Sequence, residues 1–329
     1  MTIQVGALAP LTPPGWAEAG RHLVAGLELA VHDVNESGGI DGQPLELLVR
    51  ETAADADRAT AAVDEFADLG VAAVVGEYHS VVARAAAAEA VVRRLPFLCS
   101  SAVLDALTDE PTDWVARIAP PQSRGWTLYA DYLRTQGHTN IAVITQPSIY
   151  WTAGTRILQQ HLTVTELPLT TPADTCAELA RTTVTAVLLL TGHPEPALTL
   201  AQTIRQTLPN LLIGAPAGQP ELPEWANQSG AGIPFLRYLP PTLTPLGTRV
   251  AATLHNPSFV AFEGYDTILA LADYLRANNW SQITTEGTRG KITFTRTPEI
   301  PVWQWTQPPI QVSDRDPANP THFRTLHTG

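Results

Sequence analysis

Two short polar loops that carry serines each follow an apolar run typical of a buried strand. Residues 71–75 (VAAVV) lead into Gly76-Glu77-Tyr78-His79-Ser80. About twenty residues later, the usual spacing of a strand–helix–strand unit, residues 96–99 (PFLC) lead into Ser100-Ser101-Ala102. A helix pattern begins directly after the first loop, so Ser80 is predicted to be its N-cap. A hydroxyl beside the free N–H groups of a helix start suits an anion or another strong hydrogen-bond acceptor.

The elements that must position these loops alternate between strand and helix. If the strands before both loops belong to one parallel sheet, both loops open at the edge where such sheets bind ligands. Repeated strand–helix units predict a parallel, doubly wound α/β sheet. In the first part of the chain, strands are predicted at residues 3–8, 45–50, 71–75, 96–99 and 114–118, and helices at residues 16–35, 55–69 and directly after Ser80.

A second strand–helix series follows the crossover predicted at Pro120-Pro121. The proline-rich stretch 234–245 is predicted to be irregular, and the tail after Pro308 is predicted to run extended over the surface. The second series has predicted helices at residues 125–134, 173–181 and 194–207 and another after Trp151, and predicted strands at 140–145, 163–167, 185–190 and 211–213. After the proline-rich stretch, helices are predicted at 246–254 and 259–277 and strands at 291–294 and 302–305.

The surplus helices and strands at the end of the chain indicate two interleaved lobes. We expect residues 1–119 and 246–298 to form lobe 1, and residues 120–245 and 299–329 to form lobe 2, with three hinge crossovers. The ligand site is then expected in the cleft between the lobes.

Composition narrows the function classes. The chain has 329 residues and a formal net charge of −12, which argues against a nucleic-acid partner. No apolar stretch approaches the roughly twenty residues that span a bilayer, so membrane insertion is not expected. Cys99 and Cys176 are predicted to be free, buried thiols.

The start of the chain leaves two locations open. Met1 leads directly into the first predicted strand, without the charged and apolar regions of a secretion signal. The protein is cytoplasmic if Met1 is the native start. It is extracytoplasmic, in the periplasm or at the cell surface, if a signal peptide was removed.

Several motifs together resemble the type I periplasmic binding proteins, in particular the leucine/isoleucine/valine-binding branch. The most specific one is residues 26–35 (GLELAVHDVN) followed by residues 38–42 (GGIDG). This resemblance implies a two-lobe fold in which each lobe is a doubly wound parallel sheet. The other matching segments are residues 3–12 (IQVGALAPLT), 186–190 with 192–195, 264–266 (GYD) and 302–305 (VWQW).

The resemblance also implies ligand-binding residues in lobe 1. Ser80 matches a serine that hydrogen-bonds the ligand carboxylate, and Ser101 or Ala102 matches a position whose main chain contacts the same group. Val103 stands where the amino-acid receptors have a threonine, so one hydroxyl is missing. Tyr78 and Trp16 are further candidates from their loops. Ser80 could also be only a helix cap, and Trp16 only a surface contact.

In lobe 2 the resemblance implies Tyr150 as a ligand contact and shows three departures. The glycine that usually follows this tyrosine is Trp151 here. His193 stands where the branched-chain receptors have a tyrosine. Pro216 or Ala217 stands where they have the acid that pairs with the ligand ammonium. A buried ammonium without a carboxylate partner would cost several kcal/mol. A carboxylate, an amide or an aromatic acid is therefore favoured over a standard α-amino acid, unless Glu77 or Glu263 replaces the missing acid.

The leading hypothesis is a non-catalytic receptor that closes by hinge bending over a small polar organic molecule, as the solute-binding component of a branched-chain-amino-acid-type ABC transporter. The implied partner is the transporter permease. The segment Gly76-x-Tyr78-x-Ser80, with Ile149-Tyr150, is also similar to amide-sensing and urea-binding members, so a cytoplasmic sensor that binds a regulator is the alternative.

An enzyme that uses the same cleft is a third possibility with less support. Cys99 and His79 lack a third orienting group. Glu77, His79 and His193 match no metal-ligand spacing. No cofactor, metal or catalytic residue is predicted.

Overall fold

The computed structural model describes residues 2–255 and 257–329. Met1, on which the expectation about the native start depends, lies outside the described residues. The chain divides into two compact units and passes between them three times. The first unit comprises Met1–Pro121 and Tyr238–Pro309, and the second comprises Gln122–Arg237 and Ile310–Gly329.

The first stretch of the first unit alternates strand and helix close to the predicted bounds. Its strands are β1 (Ile3–Ala9), β2 (Leu45–Glu51), β3 (Ala73–Gly76), β4 (Phe97–Cys99) and β5 (Val115–Arg117), and its helices are α1 (Ala17–Glu36), α2 (Ala56–Leu69) and α3 (Ser80–Arg93).

The second unit begins with a helix and continues the alternation. Its helices are α4 (Gln122–Thr135), α5 (Ile149–Gln159), α6 (Pro172–Leu179) and α7 (Ala197–Thr207), and its strands are β6 (Asn140–Thr145), β7 (Thr163–Pro168), β8 (Ala186–Leu190), β9 (Leu212–Gly214) and β10 (Phe235–Arg237).

The remainder of the chain returns to the first unit and ends in the second. It forms α8 (Pro245–Thr253), α9 (Phe259–Ala277), β11 (Thr285–Glu286), β12 (Lys291–Ile292), β13 (Phe294–Thr297), β14 (Ile300–Trp305), β15 (Gln311–Asp316) and β16 (Asn319–Thr328).

A seven-stranded sheet forms the centre of the first unit, in the order β13-β14-β5-β4-β3-β1-β2. Every pairing in it is parallel except that of β13 with β14. The core behind β3 and β4 is filled by the buried alanines of α3 and by Val63 and Phe66 of α2. The alanine-rich α3 is therefore a packing helix. The prediction of a parallel α/β sheet is confirmed.

Two glycines allow α1 and α9 to pack closely in the first unit. A Cβ on Gly26 would lie 1.9 Å from the carbonyl oxygen of Ala261, and one on Gly264 would lie 2.5 Å from the carbonyl oxygen of Leu23. Both positions belong to segments that carry the family resemblance, so the sequence motif there reflects a helix–helix contact.

The second unit has a parallel four-stranded sheet in the order β7-β6-β8-β9 and a separate antiparallel sheet in the order β10-β15-β16. β8 is fully buried, and α6 and α7 pack against this sheet. The antiparallel sheet corrects two expectations. Stretch 234–245 contains β10, and the tail after Pro308 forms β15 and β16, because Phe235–Arg237 lies between the prolines and pairs with residues 311–313.

The observed division differs from the predicted lobes at residues 120–121, 238–245 and 299–309, all of which lie in the first unit. These were expected in lobe 2, but β14 pairs in parallel with β5, with Trp303 opposite Ala116 and Gln304 opposite Arg117. Strand β14 therefore extends the central sheet of the first unit. Among the residues that the structure describes, none of the helices combines the length and apolarity needed to cross a membrane.

Candidate functional site

The two serine loops leave the sheet of the first unit side by side. Leu8, Gly76, Cys99 and Arg117 lie opposite one another across β1, β3, β4 and β5. Residues 77–80 and 100–103 follow directly after this row, so both loops start at the carboxyl edge of one parallel sheet, as predicted. That edge is the usual ligand-binding position in open α/β sheets.

Ser80 is the first residue of α3, and its hydroxyl joins the two loops. The N-cap of α3 is His79 in an extended conformation, without a side-chain cap, so the N-cap prediction for Ser80 is wrong. The Ser80 Oγ instead accepts a hydrogen bond from the Leu104 N–H at 3.3 Å. The Leu104 carbonyl in turn accepts from Arg117 Nη1 at 2.5 Å. Arg117, which sequence reasoning did not single out, thus holds the second loop in place.

Glu77 is a buried carboxylate that shapes the first loop. Its Oε1 accepts from the main-chain N–H groups of Tyr78 and His79, each at 2.9 Å. Its Oε2 accepts from the Thr52 hydroxyl at 2.8 Å. Burial raises the pKa of Glu77 to about 7, and these hydrogen bonds oppose the shift. Both carboxylate oxygens are therefore engaged in holding the loop.

Trp16, Tyr78 and His79 form an aromatic cluster, called here the Trp16 cluster. The ring centroids lie 5.4 Å apart for Trp16 and Tyr78, 5.8 Å for Trp16 and His79, and 5.5 Å for Tyr78 and His79. The Trp16 N–H donates to His79 Nε2 at 3.0 Å. Burial lowers the pKa of His79 to about 4, so the ring is neutral at pH 7. The cluster places two predicted site residues, Trp16 and Tyr78, together.

Ser101, on the second loop, lies beside a buried ionic cluster. Arg289 pairs with Glu263 at 3.3 Å and with Asp266 at 2.8 Å, and all three side chains are 0% exposed. Burial raises the pKa of Glu263 to about 7, while the Arg289 charge and the Ser101 hydroxyl oppose that shift. Burial also raises the pKa of Asp266. Glu263 therefore pairs with Arg289 through Oε1 within the first unit.

The remaining predicted residues of the second loop are apolar and buried. Ala102 is fully buried and Val103 is nearly so. The Ala102 carbonyl accepts from the Cys99 thiol at 3.8 Å. Burial raises the pKa of Cys99 to about 12, so this thiol stays protonated at neutral pH and is a poor nucleophile. Cys99 and Cys176 are both free and buried, as predicted.

In the second unit, Tyr150 lies in the first turn of α5. Its N–H is capped by the Ser148 Oγ at 3.2 Å. Its ring packs against Trp151 at 4.7 Å and Trp126 at 6.0 Å between centroids. Burial raises the pKa of Tyr150, so its hydroxyl is neutral over the physiological range and can donate a hydrogen bond.

His193 is held between a tryptophan and a glutamate. The Trp225 Nε1–H donates to His193 Nδ1 at 2.7 Å, which fixes the proton of a neutral ring on Nε2. That nitrogen lies 3.5 Å from a carboxylate oxygen of Glu224, which is 41% exposed. Burial lowers the pKa of His193 to about 4, opposed by Glu224. Glu224 was not predicted as a site residue, because no pattern in the neighbouring sequence distinguishes it.

Pro216 and Ala217, predicted at the position of the missing acid, are both buried. The Pro216 carbonyl accepts from the Leu236 N–H at 3.4 Å, so this segment supports the start of β10. Within residues 2–255 and 257–329, His, Cys, Asp and Glu side chains form no group of three that could hold a metal ion.

Residues 2–293 match the family described as periplasmic binding protein. The chain belongs to this family. The resemblance to the type I, leucine/isoleucine/valine-binding branch is supported by a Leu/Ile/Val-binding protein homologue of Brucella melitensis, which is 33% identical over 119 residues. That alignment covers 36% of this chain and 29% of the relative, so the chain matches less than a third of that relative's length.

Solved structures of family members share the fold over nearly the whole chain. A leucine-binding protein of Thermotoga maritima has a TM-score of 0.85 at 16% identity, covering 98% of this chain and 97% of its own. A solute-binding protein of Rhodopseudomonas palustris, solved in complex with 4-hydroxybenzoate, has a TM-score of 0.78 at 16% identity, covering 96% of this chain and 93% of its own. At these identities, the similarity establishes a type I periplasmic-binding-protein fold and leaves the ligand open.

Proposed function

We propose that this chain is a non-catalytic receptor for a small organic molecule and the solute-binding component of an ABC transporter of the branched-chain-amino-acid type. The family match over residues 2–293 is the observation that carries this proposal. The Leu/Ile/Val-binding relative and the solute-binding structural neighbours support the same class. The depressed reactivity of the buried Cys99 thiol argues against a catalytic role for that residue.

The first unit is proposed to bind a carboxylate of the ligand. The Ser80 hydroxyl stands in the first turn of α3, where main-chain N–H groups have no partner within the helix. Both features favour an anionic oxygen. Ser101 and the main chain at Ala102 and Val103, on the neighbouring loop, are the proposed further contacts. The Trp16 cluster would then contact the apolar or aromatic remainder of the ligand.

The ligand is proposed to lack an α-ammonium group. Positions 216 and 217 are apolar. Of the two carboxylates suggested as substitutes, Glu77 is engaged by three hydrogen-bond donors, and Glu263 is buried and pairs with Arg289 through Oε1. An organic acid with an aromatic or branched apolar body fits this set of side chains best. The 4-hydroxybenzoate bound in one structural neighbour belongs to that chemical class.

One observation favours a second candidate, an α-amino acid. The Glu224 carboxylate, 3.5 Å from His193 and 41% exposed, could accept hydrogen bonds from a ligand ammonium. If this candidate is correct, amino acids bind well and Glu224→Gln weakens them strongly, because a charged hydrogen bond contributes about 1.5–3 kcal/mol. Under the leading proposal, Glu224→Gln leaves the binding of simple acids nearly unchanged.

Thermal unfolding of the full chain with matched ligand pairs separates the two candidates. The pairs are 3-phenylpropanoate with phenylalanine and 4-methylpentanoate with leucine, which differ only in the α-ammonium. A ligand at about one hundred times its dissociation constant adds about 2.7 kcal/mol of stability. We expect this stabilisation from at least one acid and not from its amino-acid partner. Stabilisation by the amino acids alone contradicts the proposal.

The location and the partner are proposed from the family. A transporter component acts outside the cytoplasm, in the periplasm or at the cell surface, and contacts a permease. The alternative is a cytoplasmic amide-type sensor that contacts a regulator. Fractionation of cells that express the natural gene with a C-terminal tag distinguishes the two, because only the transporter component is expected outside the cytoplasmic fraction. Co-purification with the permease from the same cells tests the partner.

A further inference from the structure

A cavity lies within the first unit, away from the serine loops. Its volume is about 440 Å³, within the size range of small-molecule sites. Trp114 directly precedes β5, so the cavity lies toward the amino-terminal end of that strand, whereas Ser80 and Ser101 follow the carboxyl ends of β3 and β4. Its lining includes Asp113, Trp114, Tyr274, Asn278, Trp280 and Trp303.

Four aromatic side chains line this cavity. Tyr274 and Trp280 stack with their ring centroids 3.8 Å apart and an interplanar angle of 17°, and both are buried. Trp114 and Trp303 are half-buried. Rigid aromatic surface of this kind binds the apolar face of a ring at little entropic cost, because the side chains are already fixed by packing.

Asp113 fixes two of the three tryptophans and supplies a carboxylate. The Trp280 Nε1–H donates to the Asp113 carbonyl at 2.9 Å, and the Trp303 Nε1–H donates to Asp113 Oδ1 at 3.0 Å. Both indole N–H groups are thus satisfied within the protein. The Asp113 side chain is 78% exposed, and the hydrogen bonds that it accepts from described residues end on Oδ1. Oδ2 is therefore the oxygen best placed to accept from a ligand.

The local charge argues against an organic cation as the ligand. Arg296 Nη2 pairs with Asp113 Oδ1 at 2.6 Å, and its guanidinium lies 4.7 Å from the centre of the Trp303 ring. The protein thus supplies its own cation to this carboxylate and to this aromatic face. Burial and the Asp113 charge both raise the pKa of Tyr274, so its hydroxyl also remains neutral.

Asn278 adds an exposed amide beside the aromatic rings. It ends α9 in the left-handed conformation, with φ 50°. An amide can donate and accept at once, which matches a hydroxyl group. We propose that this cavity binds a neutral, hydroxyl-rich ring, a sugar or a cyclic polyol. The ring face packs against the tryptophans, and its hydroxyls donate to Asp113 Oδ2 and bond to Asn278.

Calorimetric titration of the full chain with D-glucose, D-galactose and myo-inositol tests the proposal, with choline as an organic cation for comparison. We expect at least one neutral ring to bind with a dissociation constant of about 1 mM or below, equivalent to about −4 kcal/mol, and choline not to bind. Binding of choline alone, or of none of the three neutral rings, overturns the proposal.

Two variants test where the ring binds, so that the assignment does not rest on a single substitution that disturbs folding. Asn278→Gly removes the amide and keeps the positive φ, so we expect an unchanged melting temperature and a dissociation constant raised about tenfold. Trp114→Ala is expected to abolish binding. Trp16→Ala, in the Trp16 cluster of the same unit, is the matched control and should bind the ring with unchanged affinity. Equal binding by Asn278→Gly, Trp114→Ala and the unmodified chain overturns the assignment to this cavity.

Discussion

The main-chain N–H of Trp16 donates a hydrogen bond to Nε2 of His79 at 3.0 Å. This contact joins the segment after β1 to the segment after β3, and it requires His79 Nε2 to be unprotonated. The pKa of His79, lowered to about 4 by burial, meets that requirement at neutral pH. The geometry of the Trp16 cluster therefore depends on one neutral imidazole.

Removing this acceptor should destabilise the first unit. His79→Leu leaves the Trp16 N–H without its partner, which we expect to lower the free energy of unfolding by about 1–3 kcal/mol. His79→Gln, which keeps an acceptor oxygen on a side chain of similar length, should lose less than half as much. Urea unfolding at neutral pH measures both. Equal losses of unfolding free energy in the two variants would show that packing of the His79 ring, and not its hydrogen bond, provides the stability.

The buried carboxyl group of Glu77 should make the folded chain less stable as the pH rises. Its pKa is raised from 4.5 to about 7 in the folded chain, so between these values the folded state retains a proton that the unfolded state has released. The stability contributed by this proton is complete below about pH 4.5 and is lost as the pH rises through about 7.

Glu77→Gln should remove this dependence, because the amide does not titrate. From about pH 5 to about pH 8, the variant should gain roughly 2 kcal/mol in unfolding free energy relative to the unmodified chain. Urea unfolding at both pH values gives the difference, and the opposing titration of His79 affects both proteins alike. Parallel pH profiles for the two proteins would contradict the buried-acid assignment.

Substitution of the buried Arg289 should cost far more stability than substitution of an exposed arginine. Arg289→Met leaves Glu263 and Asp266 buried without their cation, and the loss of one partner from a buried ion pair costs about 3–5 kcal/mol. Arg134→Met breaks the exposed pair with Asp131, whose side chains are 54% and 46% exposed, and should cost less than about 1 kcal/mol. Thermal unfolding compares the two; similar losses would mean that Arg289 is not the counter-ion of both acids.

Ser80 is expected to control ligand affinity through its hydroxyl. Ser80→Ala should raise the dissociation constant of a bound carboxylate about tenfold or more, because a hydrogen bond to a charged group is lost. Ser80→Thr retains a hydroxyl and should recover most of the affinity. Ser37→Ala, on an exposed residue at the end of α1, is the control. Calorimetry with the tightest ligand measures all three variants, and unchanged affinity in Ser80→Ala removes Ser80 from the site.

The fold was predictable because its signals are local. Unbroken apolar runs such as residues 71–75 and 186–190 are typical of buried parallel strands. The helix predicted at residues 16–35 is observed at Ala17–Glu36. β10 was missed because the prolines around Phe235 dominate the local pattern, whereas its stability comes from pairing with β15 far along the chain. β14 was placed in the wrong unit because a strand pattern alone does not identify the sheet that it joins.

The candidate site was predictable only in part, for a similar reason. The serine loops and Tyr150 follow strands or begin helices, so their positions were visible in the sequence. Glu224 and Arg117 were not, because each acts through a residue distant in sequence: Glu224 lies beside His193, and Arg117 holds the Leu104 carbonyl. Such pairings follow from tertiary packing and leave no local pattern.

The central claim is that the first unit holds a carboxylate and that the ligand needs no α-ammonium. Calorimetric titration of the full chain with 3-phenylpropanoate and, separately, with phenylalanine tests it most directly, because the two differ only in that group. We predict that the acid binds at least tenfold more tightly, a difference of about 1.4 kcal/mol or more. Tighter binding of phenylalanine, lost in Glu224→Gln, would contradict the claim and identify Glu224 as the ammonium partner.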